Sequence, residues 1–288
     1  TSPLAGGMIG GIVSREIILT VGWEWVFYGA GIVSLLILIP VAGLPESVRY
    51  LIAAGKRDEL VGQIMRRIDP ALPASPDTRY RVSTIDQQAS RLRDLFGPGL
   101  AGTTLLLWIG VAANLFMTVL LIYWLPLLLE QQGVPLGTAI IATSILNGAG
   151  ILGGITLAFL ADRIGAPRVI VVASFAATVV VVLIGAVAPD MPATMIFVFL
   201  AGFLGLGSYA GFNVVSASVY PVRIRSAGVG WALSIGKTGA AAGPFAASTA
   251  LEMQMPMSGI YAIAASAGLV AAAAILAISL RRRPEAPA

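Results

Sequence analysis

Apolar residues run along this chain in eight blocks, at roughly 4–21, 26–44, 102–128, 137–161, 168–188, 193–218, 227–250 and 259–280. Most reach the ~20 residues that an α-helix needs to cross a bilayer, so the pattern predicts eight membrane-spanning helices. Basic residues divide the connections into two kinds. The 45–101 stretch holds nine of them, from Arg49 to Arg93, and Arg163 and Arg168 lie between the fourth and fifth blocks. Arg223 and Arg225 lie between the sixth and seventh, and Arg281, Arg282 and Arg283 follow the eighth. Sixteen of the 18 cations thus fall on alternate connections, while the others carry Glu24, Glu130, Asp190 and Glu252 and no Lys or Arg. The positive-inside rule puts the cation-rich side, and with it the C-terminus, in the cytoplasm. Trp23, Trp25, Tyr123 and Trp124 fall at the opposite boundary, as an interfacial aromatic belt would.

Residues 45–101 form the one long polar stretch, predicted as a cytoplasmic central loop. Within it, residues 59–68 can form a short amphipathic helix with Leu60, Ile64, Met65 and Ile68 near one face, which Pro70, Pro73 and Pro76 then stop. Small residues crowd several blocks. Gly6, Gly7, Gly10 and Gly11 lie in the first, Gly148, Gly150, Gly153 and Gly154 in the fourth, and a further series runs from Gly228 to Gly243 in the seventh. Spacings of three and four allow close helix approach. Gly243-Pro244 predicts a kink in the seventh block.

Composition agrees with a polytopic membrane protein. Of 288 residues, 57% are hydrophobic and 11% charged, and mean hydropathy is +0.89, too few charges to cover a soluble domain. The net charge of +4 comes from cytoplasmic flanks rather than from a nucleic-acid face. There is no cysteine or histidine, so disulfide, thiolate and imidazole chemistry are absent. No motif for metal, nucleotide or nucleophile chemistry stands out, so no enzyme and no cofactor are expected. Thr1 follows no basic n-region, and the chain reads as the later part of a longer one.

Two cations lie inside blocks, Arg15 and Lys237. Lys237 is twelve residues beyond Arg225, which is ~18 Å of helix and near the middle of a ~30 Å hydrocarbon layer. A mid-membrane lysine costs a few kcal/mol or more and marks a functional site facing protein or water. It can hold a substrate anion or form a structural or gating ion pair; snorkelling is disfavoured at that depth. Asn114 and Asn147 also lie near mid-span, where each serves either helix-to-helix bonding or ligand contact. Thr118 shares the face of Asn114, Ser208 and Tyr209 are central in the sixth block, and Tyr209 and Phe212 can pack or stack on a ring. Glu16 is the one carboxylate well inside an apolar block; adjacent residues diverge by ~100° around a helix, so Arg15 and Glu16 do not read as a simple face-sharing pair, and the sequence gives no firm account of either.

Residues 158–168 read Ala-Phe-Leu-Ala-Asp-Arg-Ile-Gly-Ala-Pro-Arg. This resembles the Asp-Arg-x-Gly loop signature of the major facilitator superfamily, with Ala158 where a glycine is usual. Asp162 can cap the next helix or pair with Arg163, Arg223 or Arg225, and Gly165 supplies a tight turn. Such a cluster serves as a cytoplasmic gate or as an ordinary solvated turn. Leu44-Pro45-Glu46-Ser47-Val48-Arg49 resembles the Pro-Glu-Ser-x-Arg motif that follows the sixth helix in several facilitator branches. Tyr220 to Trp231, continuing to Ile235-Gly236-Lys237 and Gly243-Pro244, is similar to the tenth-to-eleventh-helix region of aromatic acid:proton symporters such as 4-hydroxybenzoate and benzoate transporters. Trp124-Leu125-Pro126 fits the same group, whereas the Arg281-Arg282-Arg283-Pro284 ending lacks the sugar-porter signature.

The resemblance implies an all-α major facilitator fold in which the eight predicted helices are the fifth to twelfth of twelve. Residues 1–44 are then the last two helices of the N-terminal bundle, 45–101 the central loop, 102–280 the six-helix C-terminal bundle and 281–288 a cytoplasmic tail. It implies import of a small aromatic carboxylate with protons by alternating access across the cytoplasmic membrane, with coupling acids mostly upstream of Thr1. Lys237 stands where the resembling transporters usually carry arginine, and Asn114, Thr118, Asn147, Ser208 and Tyr209 complete the expected substrate site. Other readings are transport of another organic anion, export of a drug-like compound, and a non-transporting receptor or degenerate fragment. The expected partners are the organic anion, protons and the bilayer, with no nucleic acid or metal.

Overall fold

The structure, a computed structural model, describes residues 2–44, 46–53, 58–68, 92–187 and 190–281. All the regular elements among them are helical. Two compact units are distinguished, residues 24–89 and residues 1–23 with 90–288.

After α1 (Ser2–Thr20), which belongs to the larger unit, the smaller unit holds α2 (Glu24–Ala42), α3 (Val48–Ala53) and α4 (Asp58–Ile68). α2 is apolar on every side and has no buried residue, the signature of a helix made for a non-aqueous surround. The amphipathic helix expected at 59–68 is present as α4. Its buried residues are Val61 and Gly62, with Leu60, Ile64 and Met65 half-buried, and α4 packs on α3, where Leu51 is buried. Ile68, expected on that face, is the last residue of α4 and is 71% exposed, so the inward stripe stops at Met65. Pro70, Pro73 and Pro76 lie outside the described residues.

The larger unit comprises α1 (Ser2–Thr20), a 3-10 turn (Leu92–Phe96), α5 (Ala101–Gln131), α6 (Leu136–Ile164) and α7 (Ala166–Val187). It continues with α8 (Met191–Ala201), a π-helical turn (Gly202–Leu206), α9 (Gly207–Val219), α10 (Arg225–Glu252) and α11 (Met257–Arg281). The core runs down α5 through Met117, Leu120, Leu121, Leu125, Leu128 and Leu129, covered by residues of α6, α7, α10 and α11. Six helices among the described residues are long and apolar enough to cross a membrane: α2, α5, α6, α7, the α8–α9 pair and α11. α1 and α10 are not among these six, and each carries charge and small residues where the others carry branched apolar ones.

That composition has a packing reason. α10 lies along α5, and a Cβ added at Gly239 would stand 2.6 Å from the Ala112 carbonyl carbon, with one at Gly243 2.6 Å from the Phe116 oxygen. Only hydrogen fits there, so the two backbones meet directly. The same holds where α6 crosses the α8–α9 helix: a Cβ on Gly153 would lie 2.7 Å from the Phe203 carbonyl carbon, and one on Gly202 2.9 Å from that of Leu146. α10 stays helical through Pro244, whereas the π-turn at 202–206 interrupts the α8–α9 helix at this crossing.

Candidate functional site

Three of the residues singled out in the sequence converge on the π-turn. A π-turn widens the backbone hydrogen-bond pattern and leaves carbonyls in need of other donors. The fully buried Asn114 of α5 answers this by donating from Nδ2 to Ser208 Oγ at 3.1 Å and to the Gly205 carbonyl at 3.4 Å. Ser208 Oγ in turn donates to the Gly205 oxygen at 2.8 Å. Thr118, one turn along α5, donates back to the Asn114 carbonyl at 2.9 Å. Asn114 Oδ1 is buried with no donor facing it. Of the two roles open for Asn114, the structure shows the bond between helices.

Asn147 lies elsewhere, on the α1 side of α6. Its Nδ2 donates to the Thr143 carbonyl at 2.9 Å, and a Cβ on Gly7 of α1 would lie 2.9 Å from its Cγ. Tyr209 is half-buried in α9, and its carbonyl accepts from Asn213 Nδ2 at 3.2 Å. Phe212 is buried in a second core cluster with Leu107, Val111 and Ile275.

Lys237 projects from the accessible side of α10, and no ion pair or hydrogen bond joins it to the Asn114 cluster. Its surroundings on that side differ from an ordinary lipid face. Between Arg168 and Ala186 the exposed positions of α7 are Val172, Phe175, Val179 and Val182, whereas between Trp231 and Phe245 those of α10 are Ser234, Lys237, Thr238, Ala241 and Ala242. A central stretch of small and hydroxyl side chains around a cation suits a watered cavity or an anion better than hydrocarbon. Ser234 and Thr238 are the members of this face that sequence reasoning passed over. Their i, i+4 spacing on either side of Lys237 was the available signal.

On the side expected to be cytoplasmic, Asp162 and Arg163 lie in the last turn of α6, both exposed. Gly165 ends that helix with φ +94°, a left-handed angle that favours glycine, and its N–H donates to the Ala161 carbonyl at 2.9 Å. α7 starts at the next residue. Arg163 lies over the Phe159 ring at 4.2 Å, and no ion pair links Asp162 to Arg163, Arg223 or Arg225. The 220–224 loop is anchored instead by Tyr220. This buried ring sits where Gly228 has no side chain, donates from its hydroxyl to Thr104 Oγ1 at 3.3 Å, and Thr104 donates to the Leu95 carbonyl at 2.7 Å. Burial pushes the Tyr220 phenol above its ordinary pKa, and the Thr104 contact offsets this in part. Arg223 is exposed within this loop, and Arg225 donates from Nε to the Tyr220 carbonyl at 3.5 Å.

The chain is similar to several bacterial transporters. It is 30% identical over 280 residues to a 4-hydroxybenzoate transporter of Acinetobacter baylyi, covering 96% of this chain and 61% of that protein. It is 28% identical to the benzoate transport protein of the same organism, over 87% of this chain and 54% of that one. It is 29% identical to a gallate transporter of Pseudomonas putida, over 98% and 63% respectively. The chain therefore spans about three fifths of the length of these relatives. A crystal structure of a D-xylose-proton symporter shares the fold at a TM-score of 0.62 and 17% identity, over 94% of this chain and 60% of that one. The family model for sugar (and other) transporters matches residues 3–279. With its helical bundle, its glycine-lined crossings and this match over nearly its whole length, the chain belongs to the sugar (and other) transporter family of the major facilitator superfamily.

Proposed function

We propose that this chain is the helix-five-to-twelve portion of a secondary transporter that imports a small aromatic carboxylate together with protons. The observation that carries the reading is the nature of its relatives, which are named for 4-hydroxybenzoate, benzoate and gallate transport. In this reading α1 and α10 cross the membrane with the six more apolar helices, making eight spans. Residues 1–44 close an N-terminal bundle, 45–101 link the bundles on the cytoplasmic side, 102–280 form the C-terminal bundle, and the 281–288 tail is cytoplasmic. The protein resides in the cytoplasmic membrane and works by alternating access, with the anion held between bundles near the midplane.

Lys237 supplies the charge for the carboxylate, from a face whose Ser234 and Thr238 can complete its hydration or bond the ligand. Lysine gives a point charge rather than a bidentate fork, so ring orientation depends on other contacts, for which Tyr209 is our candidate. Asn114, Thr118 and Ser208 act one step back, holding the α5–α9 wall in shape, and Asn147 does the same for the α1–α6 wall. Asp162, Arg163, Gly165, Arg223 and Arg225 form the cytoplasmic gate, their charges meeting and separating as the bundles rock. Transport rather than enzymatic chemistry follows from the family.

Uptake of labelled 4-hydroxybenzoate tests this in cells expressing the protein extended upstream of Thr1 to the length of its relatives. A panel of unlabelled benzoates, nicotinate and sugars competes. Saturable uptake that aromatic carboxylates suppress and sugars do not supports the reading. Competition confined to non-aromatic anions sinks the substrate class while leaving the fold intact.

A further inference from the structure

α10 has a single open side. At ~100° per residue, its exposed positions from Trp231 to Phe245 fall within one arc of ~140°, and the opposite side, through Gly236, Gly239 and Gly243, is closed against α5. That arc carries Lys237, Ser234 and Thr238, which we read as the substrate wall, and it carries Trp231 toward the N-terminal end of the helix. A cation flanked by two hydroxyls suits neither lipid nor a dry seam between helices, so a ring on the same arc borders the same watered space.

The Trp231 ring is held from behind. Its centroid lies 6.3 Å from that of Trp108 on α5, with the two planes 31° apart. Phe96 of the 3-10 turn meets Trp108 edge-on, at 5.4 Å and 88°. Both separations are in the range where aromatic pairs attract. Trp108 is half-buried and its indole nitrogen is shielded, so it backs Trp231 rather than offering a ligand a hydrogen bond. Trp231 itself keeps 39% of its surface exposed. A flat ring fixed on one side and accessible on the other is a stacking platform.

Trp231 is six residues before Lys237 in α10, which is ~9 Å along the helix. Helical side chains lean toward the N-terminus of their own helix, so Lys237 leans over Ser234 toward Trp231. A carboxylate held at Lys237 then leaves its ring to lie across Ser234 and against the indole. We propose that Trp231 is the ring-recognition residue of the substrate site, stacking on the aromatic ring of a carboxylate whose charge Lys237 meets, with Trp108 and Phe96 as its positioning residues. This rests on Lys237 being the substrate cation. It supplies what a point charge does not: Lys237 treats small carboxylates alike, whereas an indole face distinguishes a flat π-system from a saturated ring.

The test compares benzoate with cyclohexanecarboxylate, equal in charge and carbon count, as inhibitors of labelled 4-hydroxybenzoate uptake. Cells express the protein extended upstream of Thr1, and the readout is the ratio of the two inhibition constants, which does not depend on how much protein reaches the membrane. The parent is expected to prefer benzoate by about threefold to tenfold, the size of one aromatic contact. Trp231→Leu erases the preference, Trp231→Phe keeps most of it, and Trp108→Leu lowers it in part. Lys237→Ala weakens both acids alike and leaves the ratio standing. In the purified upstream-extended protein, benzoate quenches part of the tryptophan emission and Trp231→Phe removes that part, a readout that holds even where Trp231→Leu fails to fold. A ratio that survives Trp231→Leu, or a quench that survives Trp231→Phe, overturns the proposal and assigns ring recognition to another residue, with the substrate reading intact. A parent that takes up no aromatic acid sinks the substrate reading itself, and this proposal with it.

Discussion

Two neighbouring glycines in α6 should respond in opposite ways to the same substitution. At Gly153 an added Cβ would overlap the Phe203 carbonyl oxygen and stand 2.7 Å from its carbon, whereas at Gly154 the nearest atom is the Gly207 oxygen at 4.0 Å. Ordinary carbon contacts begin near 3.4 Å, so Gly153→Ala must push the α6 and α8–α9 backbones apart by at least 0.7 Å, the difference between 3.4 and 2.7. The obstacle is backbone in a π-turn and cannot rotate away. Separation also loosens the flanking contacts of Gly202 on Leu146 and of Gly207 on Gly153. Overpacking of this kind costs ~1–3 kcal/mol, and rigidity puts this case at the upper end. Gly154→Ala meets open space and gains ~0.5–1 kcal/mol from reduced backbone freedom in the unfolded chain. At a few degrees of Tm per kcal/mol, the two variants should straddle the parent by ~5–10 °C in total when thermal unfolding is followed by tryptophan fluorescence in detergent. A Gly153→Ala protein as stable as Gly154→Ala would refute the claim that backbones touch at this crossing.

Other consequences follow from single contacts. Asn114→Leu removes the donor to Ser208 and Gly205 and should lower unfolding stability by ~0.6–1.7 kcal/mol, the range of hydrogen bonds between membrane helices; no change in Tm would assign Asn114 to the ligand alone. In the upstream-extended protein, Lys237→Ala should raise the KM for 4-hydroxybenzoate uptake by about tenfold or more, with partial recovery in Lys237→Arg, as expected for a lost contact to a charged group. An unchanged KM would remove Lys237 from the substrate site. Tyr220 has its pKa raised above 10.0 by burial, so the folded state keeps a proton that the unfolded state loses. Stability is therefore full below pH 10 and falls as pH rises through the folded value. Tyr220→Phe should lose ~0.5–1.5 kcal/mol at neutral pH from the missing Thr104 bond and flatten that alkaline decline; an identical decline in both proteins would contradict it.

Much of this architecture was legible in the spacing of apolar residues. The six most hydrophobic helices occupy the blocks read from the sequence, and α4 appears where Leu60, Ile64 and Met65 placed it. Gly165 was readable as a turn because only a residue without Cβ takes φ +94° comfortably. The π-turn at 202–206 was not legible. Gly-Phe-Leu-Gly-Leu carries no local signal for widened hydrogen bonding, and what stabilises it is Asn114, some ninety residues away in sequence. For the same reason Asn114 was ambiguous between ligand and helix partner, since a buried amide looks alike in both roles until its neighbour is known. α1 and α10 show the converse. Their small and charged residues weaken the hydrophobic signal because they face backbone and polar surroundings, which is the information a hydropathy profile averages away.

The most direct test of aromatic-acid symport is accumulation in proteoliposomes. The upstream-extended protein, reconstituted and loaded so that the interior is alkaline, should concentrate labelled 4-hydroxybenzoate above the level that passive distribution of the weak acid gives in protein-free vesicles. A protonophore should abolish the excess, and Lys237→Ala should reduce it at sub-saturating substrate. Accumulation no greater than in protein-free vesicles, or an excess indifferent to the proton gradient, would contradict symport of this substrate.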